Sequence, residues 1–312
     1  MDDLALTLKV VLPLFFSMAL GYGVKCAGLV CDATLKQMNN LVFRVFLPLM
    51  VFYNIYTTDL AGVFQPRLMA YSMITAAAVF GLAALIIPRL ERDNTRRSVL
   101  IQAVARSNFV VFGLTIAVSL YGQEKAGRTS LAVAFITPIF NVLSVVVLQL
   151  YRGGRVEIKK ILKEIALNPL IISCILGLLT LFTGLRLPAV VEDTVVSLAQ
   201  VATPLALVVL GASFQFGSVR GYKKQLIIGV AGRLLAVPAV FLTLGVLLGF
   251  RRMELVTLLA LYCSPVAVSS FTMAQQMDAD GELAGQLVVF SAVFSVITIF
   301  GWVYLLKALG LI

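Results

Sequence analysis

Three arginines, Arg44, Arg106 and Arg233, lie inside apolar stretches, each roughly nine or ten residues from one end. A guanidinium at that depth is costly, so it either snorkels to the interface along its stem or marks a functional site. No Asp or Glu lies near the middle of any apolar stretch, so an anionic ligand could supply the missing counter-charge. Ser107 and Asn108 follow Arg106, with Gly113 and Thr115 beyond, while Arg233 stands five residues before Pro238. Further along, Ser264-Pro265 is followed by Ser269, Ser270 and Thr272. Pro265 cannot donate a backbone hydrogen bond and its ring crowds the carbonyl one turn back, so a helix should break or kink there. In hydrocarbon the freed backbone groups need partners or a water-filled cavity. Two broken helices crossing at this depth would aim half-helix N-termini at a bound anion. A structural kink whose hydroxyls bond their own helix is the alternative. The candidate substrate-binding set is Arg106, Ser107, Asn108, Gly113, Ser264, Pro265, Ser269, Ser270, Arg233 and Asn39. Gln102, Asn141, Gln149 and Gln200 are lesser candidates, because interhelical bonding is the commoner role of such amides.

Other chemistries find little support. The chain has no histidine, which removes the commonest zinc ligand and general base, and its four cysteines lack paired metal spacing. No catalytic residue, metal or cofactor is expected, and the chain does not read as an enzyme. Cys174 and Cys263 read as packing residues within apolar stretches; Cys26 and Cys31 read as reduced thiols near a loop.

The elements that position these residues must be membrane helices. Of 312 residues, 60% are hydrophobic and 13% charged, with a mean hydropathy of +1.00, against about 25% charged in a soluble domain. Apolar stretches of membrane-spanning length recur throughout, over 5–29, 34–57, 68–88, 98–121, 127–151, 164–184, 190–216, 224–250, 254–277 and 282–310. The first begins after Met1-Asp2-Asp3 without a basic n-region, so it reads as a retained helix. The net charge of +10 falls in the loops, which points to membrane topology rather than nucleic acid. With the N-terminus outside, fourteen basic residues fall in inner loops and eight in outer segments. The expectation is a multi-pass protein of the cell (inner or plasma) membrane with both termini outside.

The chain also repeats itself at half its length. An offset of 156 places Pro13 to Gly21 on Pro169 to Gly177 with five of nine residues identical, and Pro48-Leu49 on Pro204-Leu205. At 157 and 158, Ser107 meets Ser264 and Ala126-Gly127 meets Ala284-Gly285. An odd number of spans per half makes the second half enter from the opposite side. Such inverted repeats underlie alternating access in many secondary transporters, with binding near the midplane where helices are interrupted. The predicted fold is all-α and polytopic, ten transmembrane helices in two inverted five-helix repeats, 1–151 and 164–312, joined by a cytoplasmic connector at 152–163.

Several motifs resemble those of the auxin efflux carrier family, which includes plant PIN auxin exporters and many bacterial members. Asn39 with Pro48-Leu49-Met50-Val51-Phe52, Asn108 with Gly113 and Tyr121-Gly122, Arg233 with Pro238-Ala239-Val240, and Pro265 with Ala274 stand in the family's order. Plant members carry proline before the span-four Asn and again two residues after the Gly, where this chain has Ser107 and Thr115. That leaves Asn108 and Gly113 alone to break span four. The large central loop of many plant members is also missing, as in bacterial members. The resemblance implies a fold shared with bile-acid symporters and sodium/proton antiporters, with spans four and nine broken and crossed. It implies a scaffold of spans 1, 2, 6 and 7, a transport domain of spans 3–5 and 8–10, and elevator-like movement. It further implies a small carboxylate such as malate or malonate, or an auxin-like aromatic carboxylate.

The function expected is secondary transport of a small organic anion across the membrane. A sodium-coupled symporter is one alternative, with sodium or protons as coupling partners, and a membrane-embedded sensor without transport is another. Glycines such as Gly21, Gly23 and Gly28 permit close packing within one chain or across a homodimer.

Overall fold

The computed structural model describes residues 2–58, 65–122, 127–152 and 158–312; Lys125, Ala126, and residues 153–157 of the expected 152–163 connector, Arg155 among them, lie outside them. Among the described residues every regular element is helical. In chain order these are α1 (Asp2–Cys26), α2 (Asp32–Tyr56), α3 (Pro66–Leu90), α4 (Asn94–Ala105), α5 (Phe109–Tyr121), α6 (Gly127–Leu150) and α7 (Ile158–Ala166), followed by α8 (Pro169–Thr183), α9 (Ala189–Ser213), α10 (Phe216–Leu247), α11 (Met253–Cys263), α12 (Val268–Gln276) and α13 (Gly281–Ala308). Six of them, α2, α3, α6, α9, α10 and α13, are long and apolar enough to cross a membrane, and α1, α5, α8 and α11 contribute shorter apolar segments. The molecule is a multi-pass membrane protein.

Three expected spans are divided. Residues 98–121 form α4 and α5 rather than one helix, and 254–277 form α11 and α12. The span expected at 164–184 starts late, because Asn168 caps α8 by accepting the Leu170 N–H at 3.0 Å, with Pro169 at the first helical position. Residues 164–166 instead end the separate helix α7. At 15 residues, α8 is about 22 Å long.

Two long helices bend through single π-turns, Val42–Phe46 in α2 and Gly232–Ala236 in α10. Each lies just ahead of a proline, Pro48 or Pro238, whose missing N–H leaves a carbonyl one turn back unserved. For Pro238 that carbonyl is Leu234's, and it accepts the indole N–H of Trp302 at 3.1 Å.

Glycine sets the tightest helix contacts. α1 lies along α9 and α2 along α8. A Cβ on Gly21 would stand 2.0 Å from the Val208 carbonyl oxygen, and one on Gly211 would stand 1.9 Å from that of Met18, so α1 and α9 touch backbone to backbone. A Cβ on Gly177 of α8 would stand 2.9 Å from the Ile55 Cβ and 3.3 Å from the Phe52 carbonyl oxygen of α2, a looser contact. The pairs Gly21–Val208 and Gly177–Phe52 exchange under the offset of 156 found in the sequence.

The α3–α4 corner is tied to α10 by Glu91, which accepts the Arg92 and Asp93 N–H groups at 2.8 and 3.0 Å and the Gln225 amide at 2.6 Å. Burial opposes its ionisation, but these donors and the charge of Arg96 outweigh it and hold the carboxyl below its ordinary range. A depressed folded-state value contributes stability at neutral pH that is lost as the pH falls through it.

Two outcomes are expected from thermal unfolding in detergent. Gly21→Ala should lower the midpoint, by the ~1–3 kcal/mol typical of overpacking, whereas Gly23→Ala, whose added methyl meets nothing within 4 Å, should leave it unchanged or raise it. Glu91→Gln should flatten the loss of stability on acidification; an acid limb identical to wild type would show that Glu91 plays no part in it.

Candidate functional site

The two interrupted helices meet at their breaks. Ser107 and Val266 form an antiparallel bridge; the Asn108 N–H donates to the Pro265 carbonyl at 2.7 Å and the Ala267 N–H to that of Arg106 at 3.4 Å. The extended segments 106–108 and 264–267 thus satisfy one another as a fragment of β-ladder buried among helices. Gly113 is no part of the break assigned to it: it lies within α5, where a Cβ would fall 2.6 Å from the Phe109 ring.

The carbonyl ends of the halves converge on Arg233, which is fully buried. Its Nε donates to Ser264 O at 3.0 Å, Nη1 to Val104 and Ala105 O at 3.1 and 3.2 Å, and Nη2 to Leu261 and Tyr262 O at 2.8 and 2.6 Å. All five guanidinium N–H groups are matched by backbone carbonyls. Arg233 is absent from the lining of the cleft beside the crossing, so its donors are committed to the two C-terminal ends and not to that cleft.

The amide ends are arranged otherwise. Neither Asn108 nor Ala267, the N-cap residues of α5 and α12, caps its helix with a side-chain hydrogen bond. Residues 108–111 and 267–269, the first turns of both helices, line a cleft of about 50 Å³ together with Arg106 and Ser107. That volume holds a few water molecules. Two uncapped N-termini present orphan N–H groups and partial positive charge to one small space.

Arg106 supplies a full charge beside them. It is 5% exposed, and its Nη2 donates to Asn141 Oδ1 at 2.7 Å and Ser269 Oγ at 2.9 Å, while Nη1 reaches the Met273 sulfur. Among the described residues no carboxylate pairs with it. Ser107 Oγ is buried without a partner at the cleft wall. The arrangement is suited to binding an anion, through N–H groups, a guanidinium and hydroxyls.

The remaining candidates lie around this centre. Ser264 bonds the Ala260 carbonyl through its hydroxyl, and neither Ser264 nor Pro265 lines the cleft. Ser270 is buried with its hydroxyl unpartnered, also outside the lining. Asn39 of α2 is fully buried and donates to the Thr272 carbonyl of α12 at 3.3 Å. Arg44 lies on an exposed face of α2. Thr137, Thr203 and Met50 also line the cleft; none of them was among the candidate binding residues, although Met50 lies within the Pro48–Phe52 motif and Thr203 precedes Pro204 of the repeat.

If Arg233 is the common cap of both breaks, Arg233→Lys strands several carbonyls, at ~1–3 kcal/mol for each group left unsatisfied. It should lower the thermal midpoint by more than Arg44→Lys does, and equal midpoints for the two variants would refute the capping role.

The family described as Membrane transport protein matches residues 6–303. The chain is 24% identical over 296 residues to an uncharacterized transporter of Methanothermobacter thermautotrophicus, covering 94% of this chain and 96% of that one. It is 24% identical over 316 residues to an uncharacterized transporter of Methanocaldococcus jannaschii, covering 96% and 99%. A provisionally named malonate transporter of Rhizobium meliloti is 24% identical over 306 residues, covering 96% and 95%. With a crossing of two broken helices at its centre and a family match over nearly its whole length, this chain belongs to the membrane transport proteins of the auxin efflux carrier family.

Proposed function

We propose that the protein carries a small organic dianion, a dicarboxylate of malonate size, across the cell membrane by alternating access. The observation that bears most weight is the convergence of two uncapped helix N-termini and an unneutralised arginine on one cleft. Each N-terminus is equivalent to about half a positive charge, so with Arg106 the cleft carries about two. A dicarboxylate balances that; an aromatic monocarboxylate is larger and leaves half the charge exposed. The relative named for malonate agrees with this reading.

The mechanism rests on ten crossings, with α4 and α5 forming the fourth, α11 and α12 the ninth, and the two halves related as inverted repeats. The glycine contacts that exchange under the half-length offset support the repeat. In this reading α1, α2, α8 and α9 form the scaffold, and α3 to α6 with α10 to α13 form the moving group. The cleft lies between them, walled by Leu47 and Met50 of α2, Leu170 of α8 and Thr203 of α9 on one side and by the crossing on the other. Within the membrane, the described hydrogen bonds across the seam are Asn39 to Thr272 O at 3.3 Å and Asn141 to Cys174 Sγ at 3.4 Å. Both are weak, as a sliding interface requires.

A sodium-coupled version has an observation of its own: Ser107 Oγ, Thr272 Oγ1 and Asn39 Oδ1 are buried near the crossing without partners. These are the hard oxygen ligands a small cation takes.

In proteoliposomes, saturable uptake of labelled malonate is expected, with Asn108→Ala and Arg106→Gln lowering it at least tenfold and an indole carboxylate competing poorly. A sodium gradient that drives accumulation would establish coupling. Tight malonate binding without flux under any gradient would replace the carrier reading with a sensor.

A further inference from the structure

An apolar groove of about 430 Å³ opens on the molecular surface between α10 and α13, walled by Leu226, Ile227, Val230, Phe290 and Phe294. One basic side chain, Lys223, lines its end, and Arg220 stands exposed nearby. Two acidic side chains stand at the N-terminus of α13: Asp280, its N-cap, pairs with Arg96 at 3.4 Å and accepts the Tyr222 hydroxyl at 3.0 Å, and Glu282 lies in the first turn. A second apolar groove, of about 420 Å³, lies on the other side of Phe290, against Phe15, Met18 and Tyr22 of α1. The 216–223 segment lines both, contributing Val219 and Lys223 to the first groove and Phe216 to the second.

We propose that this pair of grooves is a binding site for one two-chain anionic phospholipid, with its phosphate at Lys223 and Arg220 and an acyl chain on either side of Phe290. Charge complementarity selects this occupant. The first groove ends at Lys223 and shares Phe290 with the second, which has no charged side chain in its lining, and a basic side chain near a membrane surface attracts an anionic headgroup. A third apolar groove, of about 350 Å³ between α3 and α10, has no charged side chain in its lining, and it takes any acyl chain without preference for the headgroup. The lipid site is independent of what the carrier moves, because it shares no residue with the crossing cleft.

The protein carries its own reporter. Its single tryptophan, Trp302, continues the stripe of Phe290, Phe294 and Thr298 at four-residue spacing along α13, and its indole is bonded to Leu234, a residue of the groove wall. Leu234 lies eleven residues beyond Lys223, about 16 Å along the helix, the depth at which mid-chain bromines of a dibrominated lipid would sit.

The full chain, reconstituted in phosphatidylcholine vesicles, is titrated with dibrominated phosphatidylglycerol or dibrominated phosphatidylcholine while Trp302 fluorescence is followed. Phosphatidylglycerol should quench with about fivefold preference or more, the factor expected of one engaged basic side chain. The double variant Lys223→Gln, Arg220→Gln should lose that preference and keep the phosphatidylcholine curve, which also certifies its fold. Should the variant not insert, 1 M NaCl on the wild type tests the same point, since it screens the headgroup attraction. Equal quenching by the two lipids, absence of quenching by either, or a preference that survives both the substitutions and the salt would overturn the proposal.

Discussion

Five backbone carbonyls, from the ends of two interrupted helices, converge on the guanidinium of Arg233, and the central architecture depends on that convergence. A helix broken in a low-dielectric interior exposes orphan carbonyls on one side and orphan N–H groups on the other. In an apolar interior each group left unserved is costly. Arg233 serves the carbonyl side of both breaks at once. Its charge also faces two helix C-termini, each equivalent to about half a negative charge, so guanidinium and termini balance. The N–H side has no such cap, and there the ladder between Ser107 and Val266 satisfies only the innermost groups. One face of the crossing is therefore closed by the protein and the other is left for a ligand.

The same division explains why two buried arginines, both read from sequence as ligand-binding candidates, differ in what surrounds them. Arg233 reaches into a set of acceptors whose number equals its donors. Arg106 meets an amide oxygen, a hydroxyl and a thioether, neutral groups that orient it without cancelling its charge. Asn141, in turn, is held between Arg106 and the Cys174 sulfur of α8, so the residue that orients the charge also ties α6 to α8.

How legible this was in the sequence varies with how local the cause is. Pro265 breaks its own helix through its own ring, so the second break could be placed to within a residue. The first break, at Arg106–Asn108, has no proline or glycine at the interruption. It exists because segment 264–267 lies across it and Arg233 takes its carbonyls, partners roughly 130 to 160 residues away that no local pattern reveals, so Gly113 drew an assignment it does not hold. The role of Arg233 was hidden for the same reason, since its partners are backbone atoms, which carry no side-chain signature. Apolar composition made the helices plain, but their ends depended on caps such as Asn168, whose amide stops α8 short of the expected start. Gly21 and Gly177 appeared in sequence as repeat partners; that each admits a neighbouring backbone emerges only from the packing.

On the proposed reading, the ligand is a structural part of what moves. With the cleft empty, a unit charge on Arg106 and two partial charges at the helix ends face a space of about 50 Å³, and carrying that group past the apolar wall of Leu47, Met50 and Leu170 removes their remaining water. The penalty for desolvating an unpaired charge is several kcal/mol, which on its own slows a step by orders of magnitude. A bound dianion cancels the charge and fills the orphan N–H positions, so the loaded group crosses the seam as a neutral body. The constraint that Arg233 satisfies permanently at the carbonyl ends is satisfied at the N–H ends only while substrate is bound, and this difference allows the breaks in the helices to serve as a carrier rather than a leak.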